Sequence, residues 1–506
     1  MNNQANIMIP QHVIEDATEW AIMHGVAFRQ ADNTARHCPF SIAPMTMKRE
    51  VYEHLRKVTP LITKLISNLS EDHDYLQSSL QDMAKADPFF GRLLALHQQA
   101  HYDKKQGKTD KRLNPARTPL LLMRTDFMDD REHGAKVIEF NGIAAGMAPF
   151  GQRATEFHAF MANQWPAVYR TWAATSSENS SKNSSKNSPA TPAENQGLEQ
   201  LAYGIAQAAK KVQATFTTDT PQAKPTFLMV IQDNEDNVYD QHLLEIALQK
   251  NGLRTVRRTF EQLSTQLTTG ENQRLMLAGV GAIDVVYLRA GYQYSDYYSP
   301  KRNESVCCQT LSQTRLFIEQ HHVAMNATIG QQLATSKTIQ MLLTIMPAED
   351  YLRWGLTLEE ALLVKSVLAE MKPVNESTIT WFNTQADKQQ WVLKNQGEGG
   401  GHCIFGDDIS DKLNQLNPTE YDAWALMLRL HPHERETPTI AVRDGQQTQI
   451  DDLVSEIGLF TAYYNGEPVT EYKGYAGYLI RSKPASENEG GIHSGKGILD
   501  SLALID

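Results

Sequence analysis

A lysine and a glycine cluster stand directly after a short apolar run: Trp391-Val392-Leu393, then Lys394-Asn395-Gln396-Gly397-Glu398-Gly399-Gly400-Gly401. Glycines lack Cβ, so their backbone N–H groups can approach an anion closely, and a lysine at a strand end adds a fixed positive charge to the same place. That composition suits a phosphate. It is not a Walker loop, because no G-x-x-x-x-G-K-[ST] occurs. It is not a dinucleotide fingerprint either, because His402 stands where the third glycine of G-x-G-x-x-G is required. A plain flexible loop has the same composition.

A second group is Val137-Ile138-Glu139-Phe140-Asn141-Gly142. Strand alternation puts Glu139 and Asn141 on one face. Two oxygen donors so spaced can share a hard cation, and Mg²⁺ typically takes one or two carboxylates while phosphate oxygens and waters complete its shell. Glu398 would add a further carboxylate, whereas a solvated strand face would read the same. Arg124, Arg289, Arg481 and Lys483 each follow an apolar run. An arginine at a strand end can grip a carboxylate or phosphate with a planar fork. Glu235, Asp236, Asn237 and Gln241 follow the run ending at Ile231, where they offer acceptors to an ammonium or amide or open a helix. There is no H-E-x-x-H, C-x-x-C or G-x-S-x-G, so zinc hydrolysis, dithiol redox chemistry and nucleophile-elbow hydrolysis have no support. The 16 histidines are scattered along the chain, and Cys307-Cys308 reads as a pair of buried helical thiols.

The elements that must hold these groups are legible in outline. Leu76, Leu80, Met83, Leu93, Leu94 and Leu96 recur at helical spacing between Glu71 and His101, with Pro88 dividing the stretch. Residues 175–196 are rich in serine and asparagine and read as an exposed loop that cannot form a core. From Thr226 a strand–helix–strand rhythm (Phe227 to Ile231, Gln241 to Glu245, Thr255-Val256, Asp284 to Leu288) predicts a parallel α/β subdomain over 224–336. Leu453 to Tyr464 and Ala476 to Ser482 read as further strands. A chain of 506 residues can bury several cores. Its net charge of −11 disfavours a broad nucleic-acid surface. No apolar run approaches the ~18 residues of a membrane span, the start lacks a signal-peptide pattern, and the four cysteines give no disulfide framework. The expected location is the cytoplasm.

Taken together, the order of these motifs resembles that of the eukaryotic-type glutathione synthetase family of ATP-grasp ligases. The resemblance rests on Arg124 to Met128, Ile138 to Asn141, Gln232 to Asn237 with Asp240-Gln241, Tyr287 to Tyr292, Gln332 to Lys337, Lys394 to Gly401, Ser455 to Phe460 and Leu479 to Lys483, in the family's order. It implies an α/β (mixed α+β) permuted ATP-grasp fold. Residues 1–223 would hold the N-terminal helices and the first part of the core, 224–336 a parallel-sheet substrate-binding subdomain, and 337–506 a glycine-rich lid with the rest of the core.

Carried over by position, the resemblance implies that Glu139, Asn141 and Glu398 hold Mg²⁺ on the phosphates of ATP. Lys337, Lys394, Lys483 and Glu489 would contact nucleotide under a lid formed by Gly399, Gly400 and Gly401. Phe405, Met427 and Leu430 would line the adenine pocket, with Arg429 and Glu456 as polar contacts. The dipeptide would lie against Arg124, Ile143, Ala144, Ala145, Gly146, Glu235, Asp236, Asn237, Gln241, Arg289, Ala290, Gly291, Tyr292 and Arg481, closed in by Ile492 and His493. Arg124, Lys394 and Arg481 would be catalytic. The implied reaction joins γ-glutamylcysteine to glycine with ATP as co-substrate. Partners would be small molecules, with no nucleic acid or membrane, and the chain would be a homodimer. Ala290, Gly146 and His493 depart from the usual aspartate, serine and small residue at substrate positions, and Leu428 from an acidic residue at the adenine hinge. A ligase of the same fold using another dipeptide or amine, or a nucleotide-binding protein without turnover, are the alternatives.

Overall fold

The computed structural model describes residues 8–103, 111–173, 190–216, 224–300, 309–397, 403–435, 438–488, 490–493 and 495–506. Glu398, Gly399, Gly400, Gly401, Glu489, Cys307 and Cys308, and with them most of the serine/asparagine segment, lie outside the described residues.

The fold is mixed α/β, built around one large sheet. At one end, strands Arg254–Arg258, Thr226–Val230, Val285–Leu288 and Ala324–Asn326 run parallel and join Thr118–Asp130, also in parallel. Thr226–Val230 is buried at every position, which is why it reads as a continuous apolar run. Beyond Thr118–Asp130 the sheet becomes antiparallel, through Leu453–Tyr464 and Tyr475–Pro484, while Gly134–Asn141 folds back on Thr118–Asp130 as a hairpin partner. A separate antiparallel sheet of four strands takes the order Met371–Pro373, Trp424–Leu428, Trp391–Asn395, Cys403–Phe405.

Helices cover the large sheet. Arg49–Leu69 lies across Leu453–Tyr464, with Thr63 and Thr461 hydroxyls 2.8 Å apart. Pro88 opens helix Pro88–His101, where a missing N–H costs nothing, and Asp87 caps it by accepting from the N–H groups of Phe89 and Phe90. Helix Lys337–Ile345 is capped by Ser336, and Gln396 Oε1 takes the next exposed donor, Thr338 N–H, at 3.1 Å. The base of the glycine segment is thus tied to the helix that carries Lys337.

Two expectations need correction. Arg124 and Arg481 do not sit at strand ends. Both lie inside long antiparallel strands, Thr118–Asp130 and Tyr475–Pro484, because alternate positions there face a water-accessible cavity and carry polar groups without ending the strand. The loop assigned to 175–196 also stops too late. Thr191–Pro192 pairs with Leu502–Ile505, and buried Asn195 accepts from Tyr478 N–H and donates to the Tyr478 carbonyl. A polar side chain that satisfies a buried backbone looks, in composition, like any loop residue.

Candidate active site

A cavity of about 970 Å³ opens between the large sheet, the four-stranded sheet and the loops that follow the parallel strands Thr226–Val230 and Val285–Leu288. It collects side chains from positions far apart in sequence, and three groups of them define its chemistry.

The first group is cationic. Lys337 Nζ lies 3.0 Å from Glu139 Oε2, and Lys394 Nζ donates to the Ile138 carbonyl at 3.3 Å. Both lysines are buried, at 3% and 6% exposure, while Glu139 opens onto the cavity. Burial alone would raise the Glu139 carboxyl, but the charges of Lys337 and then Lys394 hold it well below the ordinary glutamate range. Burial pulls the Lys394 ammonium below its ordinary range. Lys337 is the first residue of its helix, where the positive end of the helix dipole disfavours a cation. An anion facing both relieves that conflict, and Glu139 supplies one. Asn141 donates its amide N–H groups to Asp126 at 3.0 Å and to Glu139 Oε1 at 3.4 Å, and its side chain lines the same cavity. A carboxylate and an amide oxygen are donors of the kind Mg²⁺ takes, with the Asn141 amide turned to present its oxygen.

The second group is a buried fork. Arg124 donates to Asp126 from Nε and Nη2 at 2.6 and 2.7 Å, and Arg481 reaches the same carboxylate at 3.0 Å and also pairs with Glu456. Asp126 is fully buried. Gly458 makes the arrangement possible. It is Asp126's neighbour on the adjacent strand, and a Cβ there would lie 2.7 Å from Arg124 Cδ and 2.8 Å from Asp126 Oδ1.

The third group surrounds Arg289, which lies 3.3 Å from Asp240 and 3.5 Å from Glu235. Asp240 also accepts from Met147 N–H at 3.1 Å with both oxygens. That contact holds a loop in which Ala144 (φ 51) and Met147 (φ 75) are left-handed, conformations that cost about 1 kcal/mol or more each in a residue with a side chain. A Cβ on Gly146 would lie 2.0 Å from the Arg289 guanidinium, so glycine there is what lets the arginine approach. Next to this group, the His493 ring packs at a tilt against Phe28, 4.3 Å between centroids, and lies 3.4 Å from Asp236.

On the opposite wall, Val392, Met427 and Leu430 form an apolar cluster with Met341, against which Met128, Ile138, Cys403 and Phe405 pack. The Arg429 guanidinium sits 5.1 Å over the Phe405 ring and donates to Asn488 Oδ1 at 3.2 Å, and Lys483 donates to the Asn488 carbonyl at 2.7 Å. The result is an apolar slot edged by cations, suited to a flat heterocycle carrying anionic groups.

The remaining residues anticipated from sequence divide. Ile143, Ala144, Gly146, Glu235, Asp236, Asn237, Tyr292, Glu456, Lys483, Ile492 and His493 line the cavity. Ala145, Gln241, Ala290 and Gly291 do not. Ala290 is part of the core, Gly291 (φ 103) accepts at its carbonyl from Arg315, and Gln241 holds Glu235 in place. Asp126 and Asp240 were missed as organising anions. Alternation with Arg124 on one strand was a signal for Asp126, but nothing local announces that two arginines share it.

The whole chain has relatives. A family model described as "Eukaryotic glutathione synthase, ATP binding domain" matches residues 9–504. The chain belongs to the eukaryotic glutathione synthase family. Among relatives of this family, the chloroplastic glutathione synthetase of Solanum lycopersicum is 28% identical, over 98% of this chain and 84% of its own length. Glutathione synthetase of Homo sapiens is 26% identical, over 97% and 96%. A solved structure, a glutathione synthetase-like effector from Globodera pallida in its apo form, superposes with a TM-score of 0.69 at 16% identity, covering 100% of both chains. Its fold is shared. Membership in this family makes the chain one of the ATP-grasp ligases.

Proposed function

We propose that the chain joins the cysteinyl carboxylate of γ-glutamylcysteine to the amine of glycine, converting ATP to ADP and phosphate through an acyl phosphate, on a permuted ATP-grasp scaffold with the glycine segment as lid. The observation that supports this most directly is the single cavity shared by the Lys337–Glu139–Lys394 cluster, the Arg124–Asp126–Arg481 fork and the Arg289 group.

A carboxylate does not condense with an amine in water because its oxygen is a poor leaving group. In the proposed reaction a carboxylate oxygen attacks the γ-phosphorus, and the bond from that phosphorus to the ADP oxygen breaks. The amine nitrogen then attacks the acyl carbon, loses a proton, and phosphate departs with the former carboxylate oxygen. Lys337, Lys394 and Lys483 neutralise phosphate charge, the apolar slot by Phe405, Met427 and Leu430 takes adenine, and Arg429 and Glu456 sit at its edge. Glu139, Asn141 and Glu398 would hold Mg²⁺, whose chemistry here is to shield the phosphate oxygens. Arg124 and Arg481 face charge developing on the acyl oxygen, and preorganised donors of this kind are commonly worth about 2.7–4 kcal/mol in the transition state. The dipeptide lies toward Arg289, Glu235 and Asn237. An acyl phosphate hydrolyses readily, so water must be excluded from it, a role the resemblance assigns to the glycine segment and to the stretch that ends at His493. The family homodimer is part of the proposal, with analytical ultracentrifugation as its measurement.

The test is mass spectrometry of products after incubation with Mg·ATP, γ-glutamylcysteine and a mixture of small amines. Glutathione with equimolar ADP is expected. ADP released with no new peptide would overturn the reading. His493, wedged against Asp236 and Phe28, favours a second reading in which the amine carries a further polar group. A product heavier than glutathione would select it.

A further inference from the structure

Three histidines outside the cavity converge in the N-terminal helices. His73 opens helix His73–Ser79, and His97 and His101 lie one turn apart near the end of Pro88–His101. His97 and His101 are fully buried and His73 is 7% exposed. One nitrogen from each ring falls within 4.8 Å of the other two. His73 Nδ1 and His97 Nε2 are 3.2 Å apart. Two nitrogens at ~2.0–2.1 Å from one tetrahedral ion would be about 3.4 Å apart, so this pair already has ligand spacing.

We infer that His73, His97 and His101 bind a divalent transition-metal ion, zinc before the others, as a structural site separate from the ligase cavity. Imidazole nitrogens in a dry setting select zinc, copper or nickel over magnesium, which takes oxygen. Surrounding groups act as the outer shell such sites need. Glu71 Oε2 stands 3.9 Å from His73 Nε2, the nitrogen left over when Nδ1 ligates. The Gln77 side-chain amide lies 2.8 Å from His97 Nδ1. With a metal on Nε2 the proton moves to Nδ1, and the amide turns to present its oxygen. Arg117, the nearby cation, is held by Glu71 at 2.8 Å and Glu319 at 3.2 Å, so the two acids more than balance it. The His101 ring, stacked on His73 at 3.5 Å, must rotate to aim a nitrogen at the ion. The ion would tie two helices together and anchor the backbone at His101, whose carbonyl accepts from Leu113 N–H at 2.7 Å.

The experiment uses the full, untagged chain, stripped with chelator and titrated with Zn²⁺ or Co²⁺ in excess Mg²⁺. One equivalent should bind and raise the melting temperature, and the cobalt form should show the visible bands of a four-coordinate site. His97→Gln or His101→Gln should abolish binding, and Glu71→Gln should weaken it about 10–100-fold. X-ray absorption of the zinc-loaded wild-type chain, which needs no variant to fold, should show three imidazoles at about 2.0–2.1 Å. No stoichiometric uptake, binding that survives both histidine substitutions, or a zinc shell with fewer than three imidazoles would overturn the assignment.

Discussion

The ammonium of Lys337 stands 3.0 Å from the carboxylate of Glu139, a pair formed across 198 residues of chain. The lysine opens a helix whose dipole opposes its charge, so the pair is held ready for an anion that can share Lys337 with Glu139. Glu139 is in turn the strand residue suited to a hard cation.

That pairing gives a pH signature. The folded Glu139 titrates below its ordinary value of 4.5, so its stabilising contribution is fully present above that value and is lost as pH falls through the lower folded one. Melting temperature of the wild-type chain should therefore fall more steeply below about pH 4.5 than that of Glu139→Gln, which has no such proton to gain. Parallel acid limbs would show that the pair contributes nothing.

At neutral pH, Glu139→Gln should lower Mg²⁺-dependent ADP formation by about 10²–10³, a larger loss than the stability lost with the Lys337–Glu139 pair. A fall in folding as large as the fall in turnover would make the residue structural. The same comparison applies to Lys394→Met, with KM for ATP as the sensitive parameter.

Asp126→Asn should cost about 3–5 kcal/mol by chemical denaturation, because it strips the shared partner from two buried guanidinium groups. Gly458→Ala should cost about 1–3 kcal/mol through overpacking against Arg124 and Asp126, and should raise KM for the peptide substrate. An alanine that is silent in both assays would mean the fork has slack.

Gly146→Ala should act on peptide rather than nucleotide. Its Cβ would collide with the Arg289 guanidinium and disturb its pairs with Asp240 and Glu235, so KM for γ-glutamylcysteine should rise and the melting temperature fall somewhat, while the thermal shift with Mg·ATP persists. Loss of the nucleotide shift would place the Arg289 group nearer the phosphates than proposed.

Arg429→Ala removes a cation over Phe405 at the mouth of the slot. Such contacts at open sites are worth about 0.5–1 kcal/mol, so calorimetry should show ATP bound about 2–5-fold more weakly, with turnover at saturation unchanged.

Much of the scaffold could be read locally. The run from Phe227 to Ile231 declares a buried parallel strand because every position is apolar, and Leu453 to Tyr464 forms the strand its pattern predicts. Pro88 divides the early helices because it cannot donate an N–H in a helix interior. Where polar side chains interrupt an apolar run, as at Arg124 and Arg481, local reading mistook a cavity-facing strand position for a strand end. Asn195 misled in the opposite direction, since its burial depends on Tyr478, far along the chain.

By itself, then, the sequence determined the strand and helix periods, the glycine segment, the inventory of cations and oxygen donors, and a motif order matching one family, because these depend on neighbours a few residues apart. Tertiary structure alone decided that Asp126 serves both Arg124 and Arg481, that Gly146 and Gly458 are spaces kept open for guanidinium groups, that Ala290 and Gly291 turn into the core, and that His73 meets the His97–His101 pair. Those relationships depend on distances set by sheet order and helix packing, and they couple residues tens to hundreds of positions apart through burial and charge, for which local spacing carries no signal.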